Sequence, residues 1–505
     1  MSLKTQAVKN VSATWLGLLV HAVVGFLLSP FILHRLGDDA FSLWVLVFAV
    51  AGYFGLLDFG IRSSIVRYTA KFLATNDTDQ LSRYLSTSLG FYCAIAAVIL
   101  LATAAGFFYL DVLFKVPGSV LSSARMLFLL AGTSVALTFP LSVFAAALEG
   151  AQKFSWLQLS QIGIVLLRAL WIVAALLLGG GLVAVGVITV AMNLVSYLIF
   201  TGIAVRTLPI RLSPRLVDAR VFRKMAAYGI FAFAILAAEK LRFQSDPMVI
   251  GAILGSTAIT SFSIAARLVD YASYAVRSMS QIFTPMSSQF HAAGDLGRLQ
   301  RTFVAGNCAS ALIIFPICIA LIILGKSIIE AWVGSKYVSS YSILILLIVP
   351  RTLYLAQSTS IRILLGMGRH RVLASVLLLE GAANLLLSLL LTRWFGIVGA
   401  AWGTAIPLVS TSLFFLPQHL CRLLNIPVRD FLSRAYRLPL VLCALPTVLL
   451  AFAGHQFPAH TYAGLMVQIG GAGIIYCAGL VWVLFRTNPS SPHTWEALVQ
   501  LLESK

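Results

Sequence analysis

Residues 11–33 read VSATWLGLLVHAVVGFLLSPFIL, 23 positions without a single Asp, Glu, Lys or Arg. Coiled as a helix at 1.5 Å per residue, such a run spans about 35 Å, enough to cross the hydrocarbon core of a bilayer. It is too long for the core of a signal peptide and has no small-residue cleavage site, so it reads as an uncleaved first span. Working outward, comparable apolar runs cover 40–61, 84–110, 119–148, 154–178, 182–205 and 226–250. They continue over 256–283, 303–325, 340–361, 372–392, 396–420, 438–454 and 462–485. The expectation is an all-α polytopic membrane protein of about fourteen spans. Composition agrees: 60% of the 505 residues are hydrophobic and 10% charged, with a mean hydropathy of +0.95. A water-soluble surface needs about 25% charged residues, and so apolar a chain does not stay disordered in water.

The charges test the span count. Lys plus Arg number 36 against 17 Asp plus Glu, a formal net charge of +19. With both termini cytoplasmic, 24 of the 36 cations fall in inner loops and five in outer ones, namely Arg35, Lys115, Lys326, Lys336 and Arg393. That is the positive-inside distribution, and one span more or fewer would invert every later loop. The basic balance therefore reflects topology and phosphate-bearing lipid, with no nucleic-acid partner implied. The six cysteines lie in or beside apolar runs, and none forms a CxxC pair, so they read as small buried hydrophobes.

An internal duplication is visible. LEGAQKF around Gly150 resembles LLGMGRH around Gly366, and Gly90 answers Gly306, both 216 residues apart; Ser29-Pro30 answers Asp246-Pro247 at 217, as Gly179 and Gly186 answer Gly396 and Gly403. About six spans separate equivalent points, so the halves share one orientation and should be related by a pseudo-two-fold axis along the membrane normal. The expected organisation is a six-helix lobe over 1–206 and a cytoplasmic linker over 207–225. A second six-helix lobe over 226–424, two further spans within 425–486 and a cytoplasmic tail over 487–505 complete it.

Ionisable groups at mid-membrane cost roughly 2.5–3.5 kcal/mol each, so they mark function. Arg168, Glu239, Lys240, Arg242, Arg267, Asp270 and Arg351 occupy such positions. Glu239, Arg242 and Asp246 recur at i, i+3 and i+7 along one helical stripe, and Arg267, Asp270 or Tyr271, and Tyr274 trace another. Either these are local ion pairs (Glu239 with Arg242, Arg267 with Asp270) or they form a cationic wall for an anionic cargo. Five cations against Glu239 and Asp270 leave an excess of three that favours the wall. Arginine's planar fork suits phosphate, and Tyr271 and Tyr274 are either packing residues or sugar contacts. Glu380 and Asn384, one turn apart, are either a cation or proton site or an interhelical hydrogen bond. Asp58 precedes RSSIVRYTAKF, which reads as an amphipathic helix on the inner leaflet, with Arg62 and Lys71 toward anionic headgroups.

Several classes drop out. No GxxxxGK[ST] loop, HExxH or histidine cluster is present, no metal or cofactor set is visible, and no large loop offers a catalytic platform. The chain therefore reads as a non-enzyme.

Three stretches carry a family resemblance: SPFILHRLGDDAFSLWVLVFAVAGYFGLLDFGIRSSIVRY at the second span, ALEGAQKF after the fourth, and GIVGAAWGTAIP entering the twelfth. With the span count and repeat, the chain resembles the polysaccharide-transporter branch, the O-antigen and lipid-linked oligosaccharide flippases, of the multidrug/oligosaccharidyl-lipid/polysaccharide exporter superfamily. The resemblance implies two lobes working by alternating access in a bacterial inner membrane. It also implies translocation of a polyprenyl-pyrophosphate-linked oligosaccharide to the outer leaflet through a cationic central cavity. Arg168, Lys240, Arg242, Arg267 and Arg351 are the positions matching that charge pattern, with Glu239, Asp270 and Glu380 as coupling or ion-pair candidates. The implied partners are the lipid-linked glycan, membrane lipids, and polysaccharide polymerase and chain-length machinery. The alternatives are a multidrug or other small-molecule exporter of the same fold and a non-catalytic partner of a polysaccharide synthase. The superfamily's drug exporters tend to use acidic residues in the first lobe; here the first span has none, and the lobe's only span carboxylates are Asp58 and Glu149, both near inner ends.

Overall fold

The structure, a computed structural model, describes residues 3–457, 459 and 461–487; for 3–15 and 484–487 only the backbone is described. Of the expected tail over 487–505, all but Thr487 lies outside the described residues. Every regular element among the described residues is helical, and the chain forms two compact units that divide after Thr260.

The first unit holds α1 (Leu3–Tyr53), α2 (Ile61–Ala74), α3 (Thr78–Phe114), α4 (Gly118–Gly150), α5 (Phe154–Leu177), α6 (Leu182–Thr207), α7 (Ala219–Phe243) and α8 (Asp246–Ile253). The second holds all but the first two residues of α9 (Ile259–Ser280). It also holds α10 (Phe283–Ala292), α11 (Leu296–Val333), α12 (Ser340–Ala356), α13 (Ser358–Gly366), α14 (His370–Ser410), α15 (Leu416–Leu423), α16 (Val428–Gln456) and α17 (Tyr462–Thr487).

Ten described helical stretches are long and apolar enough to cross a bilayer, or eleven if α12 and α13, bent by 42° at Gln357, form one broken span. Two of the ten are interrupted. Gly37 (φ 79°, ψ 173°) breaks α1 between the first and second expected spans, and Gly396 (φ 60°, ψ −142°) breaks α14 between the eleventh and twelfth. Both take backbone conformations open to glycine and strained for other residues. The α9 helix, over the eighth expected span, is not among the ten; its 22 residues carry Arg267, Asp270, Arg277 and five serines.

The backbone repeats itself at the offset read from the sequence. Gly37 and Gly255, both left-handed and extended, lie 218 residues apart; Asn76 and Gly294 share a positive φ at 218, as do Gln152 and Gly368 at 216, and Gly179 and Gly396 at 217. Asp77 caps α3 by accepting from the Gln80 amide, and Asp295, 218 residues on, caps α11 by accepting from the Arg298 amide. The paired glycines do the same packing work. A Cβ on Gly150 would lie 2.6 Å from the Val66 carbonyl oxygen of α2, and one on Gly366 would lie 2.7 Å from the Thr284 carbonyl oxygen of α10.

The α2 helix is amphipathic, as expected. Ile61, Ile65, Thr69 and Phe72 bury into a core shared with α3, α4, α6 and Met225 of α7. Arg62 departs from the expectation: it turns from the headgroup side to Glu149 at the end of α4, 2.5 Å away. Burial, the largest single influence, pulls its pKa down, but Glu149, Tyr197 and Tyr92 together outweigh it and hold the pKa above the ordinary guanidinium value. Asp58 accepts from the Tyr92 hydroxyl and, at 3.1 Å, from the Arg62 amide. Four cysteines are buried as expected, whereas Cys93 and Cys477 are exposed.

The expected second lobe begins at 226, yet α7 and α8 pack within the first unit. Two contacts explain it. Gly60 and Gly229 bring the start of α2 against the middle of α7 so closely that a Cβ on Gly229 would lie 2.6 Å from the Gly60 carbonyl oxygen. The connection before α7 is held by its backbone: the amides of Arg211, Ser213 and Asp218 donate to Ser82, Ser86 and Thr87 of α3 at 3.0, 3.2 and 3.1 Å. Repeat and packing thus assign α7 differently.

Candidate functional site

The predicted site residues fall in both units. In the first, Arg168 is half-buried on α5, within electrostatic reach of His21 on α1. The rest gather where α7 gives way to α8. Lys240 donates to Gln244 at 2.5 Å, and its carbonyl accepts from the Tyr53 hydroxyl at 3.2 Å. Arg242 is 1% exposed and lies 4.7 Å from the ring centre of Phe243, a cation–π distance. Glu239 is half-buried beside them. Asp246 opens α8, also buried, with Ser245 donating back to the Leu241 carbonyl at 2.7 Å. The chain leaves the helical path here because Pro247 cannot donate to the preceding turn.

In the second unit Asp270 bonds across helices. Its carboxylate lies 3.6 Å from an Arg351 guanidinium nitrogen of α12, and Arg351 Nε donates to Ser273 at 3.2 Å. The pair is lopsided: the Arg351 side chain is 5% exposed and Asp270 58%. Beside it, Tyr271 stands 6.3 Å and nearly perpendicular to Trp332 of α11, and 6.2 Å from Tyr274. The first pair is edge-to-face and the second tilted, both at separations at which rings attract one another. Arg267 is half-buried one turn before Asp270 on α9. A guanidinium, an exposed carboxylate and three rings therefore share one stretch of α9 and its neighbours.

Because the Asp270 side chain is 58% exposed, the pair should contribute little stability. Asp270→Asn is expected to cost no more than about 1 kcal/mol in thermal unfolding of the detergent-solubilised protein. A loss of about 3–5 kcal/mol would instead mark a pair sealed from water.

Glu380 is buried in the first half of α14, which folds back on the second half across Gly396. The Asn384 amide donates to Thr404 across that hairpin at 3.0 Å, and Gly403 sits against Ser388.

Two corrections to the charge count follow. Asp246 and Glu380 are 3% and 4% exposed in the same class of helix and belong in the ledger. They lower the expected surplus of three to one, and half-buried Arg277 of α9 restores one. Sequence reasoning also missed Tyr53, Ser273 and Trp332. Ser273 carried a signal, lying three positions from Asp270 on the charged stripe. Trp332 carried none, since only the packing of α11 on α9 brings it there.

The helical architecture defines the class. A multidrug resistance MATE family transporter of the MOP superfamily, solved in an inward-facing conformation, superposes with a TM-score of 0.68 at 13% identity, covering 82% of this chain and 95% of that one. The lipid II flippase MurJ, solved in an inward closed conformation, gives 0.66 at 16% identity over 94% of this chain and 98% of that one. The chain thus shares the fold of these two transporters. The chain belongs to the family described as "Polysaccharide biosynthesis protein", which matches residues 32–342. Among its relatives are the Bacillus subtilis membrane protein EpsK, 22% identical over 84% of this chain and 85% of that protein. A putative O-antigen transporter of Shigella flexneri is 21% identical over 82% of this chain and 98% of that protein.

Proposed function

We propose that this protein is a flippase that carries a polyprenyl-pyrophosphate-linked oligosaccharide from the cytoplasmic to the outer leaflet of a bacterial inner membrane. The observation that carries the reading is the Arg351–Asp270 pair with Tyr271, Tyr274 and Trp332. A buried guanidinium held by Ser273 is oriented to meet an oxyanion with its fork. Its exposed carboxylate partner is loose enough at 3.6 Å to yield to a competing phosphate. The rings beside it offer flat faces to sugars. Arg242, Lys240, Arg168 and Arg267 supply further positive charge on α7, α5 and α9. Family membership adds support, as does the name of the Shigella relative.

The cycle has the lobes load pyrophosphate on the cytoplasmic side, keep the polyprenyl tail in lipid and release outward. Glu239, Asp270 and Glu380 are the groups available for ion coupling. Coupling is not required energetically: an inside-negative potential favours outward passage of an uncompensated dianion by about 4.6 kcal/mol per 100 mV. Reconstituted protein is therefore expected to translocate a fluorescent lipid-linked oligosaccharide, faster with an imposed inside-negative potential. A cationic drug transported in preference to the glycan would favour the multidrug reading, and no transport of either would leave the synthase-partner reading standing.

A further inference from the structure

A chamber of about 350 Å³ opens in the second unit between the first turns of α11 and the start of α16, lined by none of the residues placed in the candidate site. Its apolar wall is Val304, Ala305 and Ile426, and its charged wall is Arg301, Arg434 and Asp430. The frame is rigid. The Gln300 amide donates to the Leu424 carbonyl at 2.7 Å, Phe303 stacks on Phe431 at 4.3 Å, and Asn425 turns the chain with a φ of 53°. The two helices present different ends to it. The α11 helix is capped by Asp295, whereas α16 begins after Pro427 with no side-chain cap. Its first helical amide bond is Phe431 to the Pro427 carbonyl, which leaves the amides of Val428, Arg429 and Asp430 outside the helical ladder, and of these three residues Asp430 lines the chamber. Exposed Arg298, Arg422, Arg429 and Arg437 surround this end of the unit, so its field is positive.

We infer that this chamber binds a phosphate ester, with the headgroup of an anionic membrane phospholipid as its occupant. Arg301 and Arg434 flank a space of headgroup size, and the uncapped first turn of α16, with the positive end of its helix dipole, borders the same space at Pro427 and Asp430. Asp430 answers a headgroup hydroxyl, and the apolar wall answers the glycerol and upper acyl carbons. A simple inorganic anion would use the cations but not that wall.

The test uses the full chain in detergent, reading retained lipid by native mass spectrometry and thermal stabilisation with phosphatidylglycerol, phosphatidylcholine or inorganic phosphate. Wild-type protein is expected to retain phosphatidylglycerol over phosphatidylcholine by at least about tenfold. Arg301→Gln with Arg434→Gln should remove that preference, whereas Arg422→Gln with Arg429→Gln, an equal loss of charge outside the lining, should keep it. Gly297→Leu fills the chamber without touching a charge and should also abolish retention, which decides the matter if the arginine variant folds poorly. Stabilisation by inorganic phosphate that needs Arg301 and Arg434, without lipid preference, would establish the phosphate site with a soluble source. Equal loss in the two double variants, or lipid retention unchanged by Gly297→Leu, would overturn the proposal.

Discussion

Arg242→Gln combined with Arg267→Gln is expected to slow translocation of lipid-linked oligosaccharide by roughly a hundredfold or more, with the protein still inserted at normal abundance. Each arginine contributes charge-assisted hydrogen bonds of about 1.5–3 kcal/mol to an anionic cargo, so losing two reaches that scale. Arg242 is 1% exposed and lies over Phe243, and Arg267 is half-buried one turn from Asp270. Neutralising a span arginine lowers the cost of membrane insertion by about 2.5–3.5 kcal/mol, so failed insertion would not account for lost transport. Arg67→Gln with Lys71→Gln, both exposed on α2, is the matched control and should transport normally. Wild-type rates from the Arg242/Arg267 variant would remove these arginines from the cargo path.

The second large effect concerns the contact of α2 with α7. Gly229→Leu would put a Cβ 2.6 Å from the Gly60 carbonyl oxygen and 3.0 Å from that of Phe59. Both obstacles are backbone, so the helices must separate. Overpacking of this kind costs about 1–3 kcal/mol or more, and Ser64, whose hydroxyl donates to the Met225 carbonyl at 2.7 Å, loses its partner as well. A cysteine placed at Ser64, fully buried here, should resist maleimide in the parent and react readily in the Gly229→Leu background. Equal protection in both would mean that the helices absorb the side chain without parting. Gly60→Ala should act in the same direction, since Gly60 also has a φ of 75°.

What was legible in the sequence follows from what is local. Apolar runs against breakers located the helices because the bilayer imposes length and composition together. The breaks at Gly37 and Gly396 also punctuate the sequence, but their hydropathy alone does not say that two helices meet there end to end. The duplication was found where residue type is shared, at Gly150 and Gly366. It was missed where only conformation is shared, as at Asn76 with Gly294, because the left-handed region accepts asparagine in place of glycine. The site was half legible. Charge inside an apolar helix announced Arg242, Arg267 and Arg351, but spacing suggested Asp270 with Arg267, whereas Asp270 bridges to Arg351 on another helix, 81 positions along the chain. Pairing across helices is set by packing, which no periodicity encodes. Glu380 and Asp246 were seen as side chains and left out of the balance because burial, which makes them count, was not visible.

The grip of α3 on the segment before α7 has a consequence for how that segment varies. Ser82, Ser86 and Thr87 take hold of main-chain amides at positions 211, 213 and 218, and every amino acid but proline supplies one. The segment can therefore exchange its side chains, its arginines included, and keep the same seat. Drift there would alter how the loop meets lipid or a neighbouring protein while leaving the course of the chain untouched.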